Sequence, residues 1–354
     1  MMNAALQIKA AGQTPMGAPR LSITVPTYNR VDNLRRLIHG LVAQTCPSTE
    51  FEVIIVDDGS TDATASFLGS LNPPFALRVI HQSNGGPAAA RNRAIQEAVG
   101  SIVLFLDDDV IPDPGLVSAH LEAQTRGPRS VVVGPMLAPH GLPRPAWVRW
   151  EEDKLAEQYR DLLAGRYACS PRQFYTANAS LSRDMLLDAG GFDPAFKRAE
   201  DVELAYRLRE GGATFVFAPD AKIVHVPSRS FEAWCRTPYQ YGRYDVAMHR
   251  DKGHDSFICA TSEFHERNPL CRFLARICVD RPLITRAAEG VLRRAVQGFD
   301  RRATYRVASL ALSAIFSIRY WQGAADELGG APGLWTSVEA ARPTNSVEQA
   351  TYAA

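Results

Sequence analysis

Ser101-Ile102-Val103-Leu104-Phe105-Leu106-Asp107-Asp108-Asp109 runs an unbroken apolar stretch straight into three adjacent carboxylates. A short apolar run bounded by polar residues has the pattern of a central strand in a parallel sheet, covered on both faces. Open α/β sheets bind ligands beyond the carboxyl ends of their strands, so these acids emerge where a ligand would sit. Three successive carboxylates repel one another unless a cation stands among them. A divalent metal with oxygen ligands, itself gripping a diphosphate, meets that need. An acidic strand-to-loop turn is the competing account, and the triplet alone does not choose between them.

Upstream the same pattern recurs. Leu21-Ser22-Ile23-Thr24-Val25 is β-rich and stops at Pro26, and Asp32 is placed to cap a helix whose Leu34, Leu37, Ile38, Leu41 and Val42 share one face. Residues 51–56 predict a second buried strand, ending in Asp57-Asp58-Gly59-Ser60-Thr61-Asp62. Gly59 permits a tight turn there, and Ser60, Thr61 or Asp62 can cap the next helix. A third strand is expected over 77–81, then the turn Asn84-Gly85-Gly86-Pro87 and a helix over 88–98 with Pro87 at its first position. Past the acid triplet the pattern predicts a helix near 115–125 and a strand over 131–133. Strands alternating with helices of this length make βαβ units, hence an α/β, Rossmann-like, mostly parallel sheet with helices on both faces. Neither GxGxxG nor GxxxxGK[ST] occurs, so the dinucleotide fingerprint and the phosphate loop are both missing.

Composition bounds the rest. The chain has 354 residues, a net charge of +1 and 22% charged residues, which gives no bulk charge for holding nucleic acid. The six cysteines lie far apart with no CxxC, which suits neither a zinc site nor a disulfide framework and predicts a reducing, cytoplasmic setting. Residues 1–19 have no apolar signal segment and are expected to be a disordered leader, and 342–354 a disordered tail. No stretch is long and apolar enough to predict a membrane-spanning helix.

The strand ends then assemble a candidate site. Pro26-Thr27-Tyr28-Asn29-Arg30 follows strand one, Asp57-Asp58 strand two and the acid triplet strand four, with Arg91-Asn92 inside the intervening helix. A carboxylate can accept the N–H of a uracil ring, Tyr28 can lie against its face, and Arg91 can reach base or phosphate. Each has a plainer account: Asp58 as a turn residue, Tyr28 as a packing ring, Arg91 on a solvated helix face. Their placement at one edge of one sheet is what favours a nucleoside diphosphate.

VPTYNR, VDDGSTD, NGGPAAARN and FLDDDV, in this order and spacing, resemble the nucleotide-diphospho-sugar domain of the family 2 glycosyltransferases, inverting enzymes of the GT-A fold. The resemblance implies a catalytic domain over 20–230. It implies that Pro26, Thr27, Tyr28, Arg30, Asp58, Arg91, Asp107 and Asp108 hold the donor. Within that set Asp58 would meet the nucleobase and Asp107 the ribose–phosphate side, with Asp108 the least called upon. Asp109 would bind the metal.

Farther on, 134–175 has no firm periodicity and is expected to hold acceptor-facing loops; Trp147 and Trp150 either stack on a sugar ring or, the more expected outcome, pack locally. Arg198-Ala199-Glu200-Asp201-Val202-Glu203-Leu204 opens a helix. On the residues alone, capping by Glu200 or Asp201 is the simpler reading, although a carboxylate at a helix N-terminus is also kept ionised and ready to take a proton. The resemblance makes Asp201 the general base. It also places a third metal ligand at His225, which closes a short apolar strand; imidazole suits Mn2+ better than Mg2+.

From 231 to 341 the pattern turns helical. Residues 271–306 carry far more Arg than acid, and 307–318 form a mostly apolar helix. Basic helices beside an apolar one allow peripheral contact with anionic lipid on the inner face of the membrane, where a lipid-linked acceptor would lie; packing back on the protein is the plainer account. The resulting expectation is transfer of a sugar from a nucleotide-diphosphate sugar, with UDP the expected nucleotide, to a hydroxyl of a glycan or lipid-linked acceptor. The reaction would be Mn2+- or Mg2+-dependent, as in polysaccharide biosynthesis. Two rivals stand beside it. A nucleotidyltransferase would want a basic, Gly-rich phosphate loop. A silent nucleotide-sugar or glycan binder would not need Asp58, Asp107, Asp109 and Asp201 together.

Overall fold

The computed structural model describes residues 18–299 and 304–341. The leader expected over 1–19, apart from its last two residues, and the tail over 342–354 lie outside them. In chain order the first elements are β1 (Leu21–Thr27), α1 (Val31–Val42), β2 (Phe51–Asp57), α2 (Thr64–Gly69), β3 (Ala76–His81) and α3 (Pro87–Glu97). Next come β4 (Ile102–Leu106), β5 (Val110–Pro112), α4 (Leu116–Gln124), β6 (Ser130–Val133), β7 (Met136–Leu137) and α5 (Ala146–Leu163). They are followed by β8 (Asn178–Ser182), α6 (Arg183–Asp188), α7 (Glu200–Glu210), β9 (Thr214–Phe217) and β10 (Ile223–His225). The chain then continues through α8 (Phe231–Lys252), α9 (Ser256–Phe264), α10 (Pro269–Cys278), α11 (Pro282–Gly298), α12 (Tyr305–Glu327) and α13 (Ala331–Ala340).

These elements form two compact units. Among the described residues the first comprises 18–139 together with 168–226; the second comprises 140–167, 227–299 and 304–341. The division differs from a boundary at 230 because α5, inside the segment read as loops, belongs to the helical unit.

In the first unit seven strands form one sheet in the order β3-β2-β1-β4-β8-β6-β9, in which β8 alone runs against its neighbours. Side chains alternate across a strand, and here both sets are apolar. Val53 and Ile55 of β2 join a core with Leu34, Leu37 and Leu41 of α1 and Leu116 and Val117 of α4. Ile54 and Val56 join a second core with Ala90 and Ala94 of α3, Leu186 of α6 and Leu204 of α7. Helices therefore cover both faces of a mostly parallel sheet. A smaller sheet, β5-β10-β7, sits beyond β4 in the chain path and begins directly after the acid triplet.

Local details differ from expectation in three places. Asp32 does not cap α1: Arg30 holds the cap position without a side-chain bond, and Asp32 lies one residue inside the helix. In the turn after β2, Gly59 takes φ +82° as a tight turn requires, but the following helix begins after Ala63, and Asp62 serves it by accepting from Thr64 N at 2.9 Å. Strand β8 had no clear signal, because Asn178-Ala179-Ser180-Leu181-Ser182 lacks the β-branched and aromatic residues that mark strands.

The second unit is helical. Trp150 is buried, meets Trp234 edge-on at 5.5 Å and donates to Ser313 Oγ at 2.9 Å. Trp147 lies edge-on to Phe231 at 5.3 Å and donates to the Arg229 carbonyl. Both tryptophans are thus part of this unit's own packing. Among the described residues no helix is long and apolar enough to cross a membrane.

Candidate active site

The carboxyl ends of β1, β2 and β4 bring the predicted residues to one edge of the large sheet. Asp58, just past β2, is buried, with a carboxylate that accepts from Gln82 Nε2 at 2.7 Å, Gly85 N at 2.9 Å and Gly86 N at 2.8 Å. It ties down the turn before α3. A carboxylate has about four acceptor positions, so one remains for a ligand donor. Asn29, in the left-handed region at φ 55°, accepts from Thr61 N at 2.8 Å and locks the tip of β1 to the turn after β2. Tyr28 between them is exposed, Arg30 likewise, and Pro26 half-buried.

Thr27, buried at the end of β1, donates from its hydroxyl to Asp108 at 2.8 Å. Burial, which outweighs that hydrogen bond, and the neighbouring Asp109 and Asp107 charges push the Asp108 carboxyl up to about 7. The middle acid is therefore engaged with β1 rather than idle. Asp109 behaves oppositely: burial opposes its charge, yet His225 and then Arg30 hold its carboxyl below the usual range. His225 reaches Asp109 through sheet register, since β10 pairs antiparallel with β5 and sets His225 opposite Val110. His225 Nε2 stands 3.4 Å from Asp109 Oδ1, within ion-pair range but without hydrogen-bond alignment, so that buried oxygen has no hydrogen bond.

The remaining acid, Asp107, points to Arg91. Arg91 is buried in α3, not on a solvated face, and donates to Asp107 at 2.8 Å and to Glu200 at 2.8 Å. Glu200 is itself buried. It does not cap α7: that position is taken by Ala199, a non-glycine residue in the left-handed region at φ 57°. Backbone in that region is strained and is held by its surroundings. Asp201 follows, half-buried, its Oδ1 accepting from Val202 N at 2.8 Å. Burial and the adjacent Glu200 charge push its carboxyl up to about 7, against the pull of Arg91.

Two further residues support the site: Asn92, which ends the NGGPAAARN motif but had no role read for it, and His120, which carried no sequence signal of its own. Asn92 clasps Phe192 through both backbone groups, Nδ2 to O at 2.8 Å and N to Oδ1 at 2.8 Å, so α3 anchors the segment leading to α7. His120, fully buried, bonds Asn178 Oδ1 through Nε2 at 2.9 Å and Ser180 Oγ through Nδ1 at 2.9 Å. Asn178 Nδ2 donates to the Ala221 carbonyl, so its Oδ1 faces His120 and accepts from Nε2–H, and in a neutral ring Nδ1 then accepts from the Ser180 hydroxyl. His120 is therefore the neutral Nε2–H tautomer, and burial pushes it down to about 4. A side chain at Gly134 would overlap the Ala221 carbonyl and the Asn178 amide, which explains glycine there.

Among the described residues no three His, Cys, Asp or Glu side chains stand together as a metal cage. Asp109 and His225 are a pair, one oxygen and one nitrogen donor. A carboxylate oxygen that is buried without a hydrogen bond fits a cation whose other ligands come from a bound phosphate.

Residues 22–188 match the glycosyl transferase family 2 domain. Over 242 residues the chain is 31% identical to validoxylamine A glucosyltransferase of Streptomyces hygroscopicus subsp. jinggangensis, covering 61% of this chain and 57% of that one. It is 29% identical over 256 residues to YfnE of Bacillus subtilis, an uncharacterized glycosyltransferase, covering 58% and 64%. The chain thus spans less than two thirds of the length of these relatives. A mannosyltransferase from Pyrobaculum calidifontis, solved with GDP-Man and Mn2+, superposes with a TM-score of 0.62 at 22% identity over 90% of this chain and 91% of that one. The fold is therefore of the GT-A type. Residues 22–188 thus form a glycosyltransferase family 2 domain.

Proposed function

We propose that the protein is an inverting, metal-dependent glycosyltransferase. It moves a sugar from a nucleotide diphosphate, UDP being the expected nucleotide, to a hydroxyl of a glycan or lipid-linked acceptor in polysaccharide biosynthesis. The catalytic domain is assigned to 20–230, and the helical extension, 231–341, rests peripherally on the membrane. The observation that carries the reading is Arg91, whose two ion pairs join the acids after β4 to the start of α7 and bring Asp201 within electrostatic reach of Asp107. The Streptomyces relative's name, a glucosyltransferase, is in keeping with it.

Asp201 takes the proton of the acceptor hydroxyl as that oxygen bonds to the anomeric carbon. The bond from the same carbon to the diphosphate oxygen breaks, its electron pair leaves on the diphosphate, and configuration inverts in one displacement. A base near 7 is matched to neutral pH. Asp58 accepts a ring N–H of the nucleobase, Tyr28 covers its face, and Pro26, Thr27 and Arg30 line the pocket. Asp107, oriented by Arg91, takes the ribose–phosphate side, and Asp108 steadies β1 against β4. Asp109 and His225 would hold Mn2+ or Mg2+, which when bound neutralises charge on the departing diphosphate.

A panel of UDP-, GDP- and dTDP-sugars with Mn2+ tests the reading. Consumption of at least one donor with release of nucleoside diphosphate is expected. Consumption of nucleoside triphosphates instead, or binding of every donor without turnover, overturns it.

A further inference from the structure

Helix α11 is apolar on two sides. Its inner side packs on α12 through Val296 at 6% exposure, with Leu292 and Ala295 partly buried beside it. Val296 is the helix's only fully buried residue. Its outer side carries Leu283 at 77% exposure, Val291 at 63% and Ile284 at 43%. With the exposed Ala287 these residues fall within about 100° of one another on a 3.6-residue helix. One apolar stripe suffices to dock a helix on its own protein, so the second is unexplained by the fold. The preceding helix, α10, adds Leu270 at 43% and Phe273 at 60%.

The charges that α11 itself sets beside the outer stripe are arginines. Arg281, Arg286 and Arg294 are exposed, and among the described residues Arg286 and Arg294 make no ion pair. The one acid of α11, Glu289, is on the inner side and paired with Arg319 at 2.5 Å. Asp280, exposed just before the helix, is the one acid next to this face, and its carboxylate is taken up by Gln322 Nε2 at 3.1 Å and by Ala331 N. Self-association through this stripe would press like charges together across a two-fold axis. A bilayer rich in anionic headgroups takes the same surface without conflict: the apolar side chains enter the headgroup–acyl boundary while the long arginine stems reach out to phosphates.

We infer that the outer face of α11 is a docking surface for an anionic lipid bilayer, with Leu283, Ile284 and Val291 inserting and Arg281, Arg286 and Arg294 reading the headgroups. This locates the peripheral contact of the proposed function on particular residues, and it stands apart from the chemistry of the strand-end acids.

The full chain is sedimented with vesicles of phosphatidylcholine alone or with phosphatidylglycerol at about a third. Binding to the anionic vesicles only, weakened by salt, is expected. Arg286→Ala with Arg294→Ala should lower partitioning about 30-fold, from about 1 kcal/mol per charge. Leu283→Ser with Val291→Ser should lower it at least tenfold even at low salt. Both pairs are at the surface, and unchanged melting temperature verifies folding. Absence of binding to anionic vesicles, or binding unmoved by either pair, overturns the inference. So does light scattering that finds a dimer which Leu283→Ser with Val291→Ser dissociates, since the face would then belong to a second copy. Donor turnover in detergent-free solution, measured on the same variants, reports on the glycosyltransferase reading separately and should not change.

Discussion

Arg91 and Glu200, 109 positions apart in the chain, form a buried ion pair at 2.8 Å, and the second arm of the same guanidinium holds Asp107. A charge pair of this kind adds little net stability over apolar substitutes, but removing one partner leaves the other charge buried and uncompensated. Arg91→Met should therefore destabilise the protein by about 3–5 kcal/mol, measured by urea unfolding. Arg91→Met combined with Glu200→Leu should recover much of that loss while transfer stays impaired, because Asp107 has still lost its orienting partner.

Asp201→Asn is expected to lower turnover about a thousandfold with nucleotide affinity almost unchanged by titration calorimetry. A variant with near-normal turnover would move the base elsewhere. In the free enzyme, kcat/KM should rise with pH through about 7 and lose that limb in the variant. Stability gives an independent sign. A carboxyl pushed up from 3.8 to about 7 favours its protonated form in the fold, so its contribution is present below pH 4 and lost as pH rises to 7. Asp201→Asn should therefore stabilise the protein at pH 8 by up to about 4 kcal/mol, read as a higher melting temperature, and leave it unchanged at pH 4.

Chelation should abolish transfer, with Mn2+ restoring it better than Mg2+. His225→Ala removes the nitrogen donor and should narrow that preference, since oxygen donors alone suit Mg2+. Asp109→Ala should remove metal-dependent tightening of nucleoside diphosphate binding. Calorimetry with and without Mn2+ reads this without any turnover, and equal tightening in the variant would exclude Asp109 as a ligand.

His120 makes acid sensitivity predictable. Its folded value lies near 4 against an ordinary 6.5, so the unfolded chain binds the extra proton first. Stability tied to neutral His120 is complete above pH 6.5 and is lost progressively down to about 4, by up to about 3 kcal/mol. Unfolding midpoints measured between pH 7 and 4.5 should fall along this slope. Asn178→Ala, which strips the Nε2–H of its acceptor, should destabilise the protein even at pH 7, by about 1–3 kcal/mol.

Short-range patterns carried much of this site. An apolar run ending in acids announces a buried strand and the chemistry at its tip within ten residues, because side-chain period and chain direction are local properties. On that basis β1, β2 and β4, the turn at Gly59 and the grouping of Asp58 with Asp107–Asp109 at one sheet edge could all be read in advance. Helix α5 could not: charged residues are interspersed through an apolar set of which Ala146, Val148, Trp150 and Tyr159 are buried, so no clean stripe stands out. The same holds for β8, whose small polar residues mark a strand only once β4 and β6 flank it.

Partner choice lay further out of reach. Nothing near Arg91 in the chain names Glu200, and nothing near Asp109 names His225; one pair depends on how α3 meets α7, the other on the register of β5 and β10. Ionisable side chains respond to whatever the fold brings within a few ångströms, and that is a matter of long-range packing rather than of chain neighbours. Residue types and strand ends were thus written in the order of the amino acids, whereas the charge state of Asp201, the burial of Arg91 and the pairing of His225 came into being only when distant segments closed on one another.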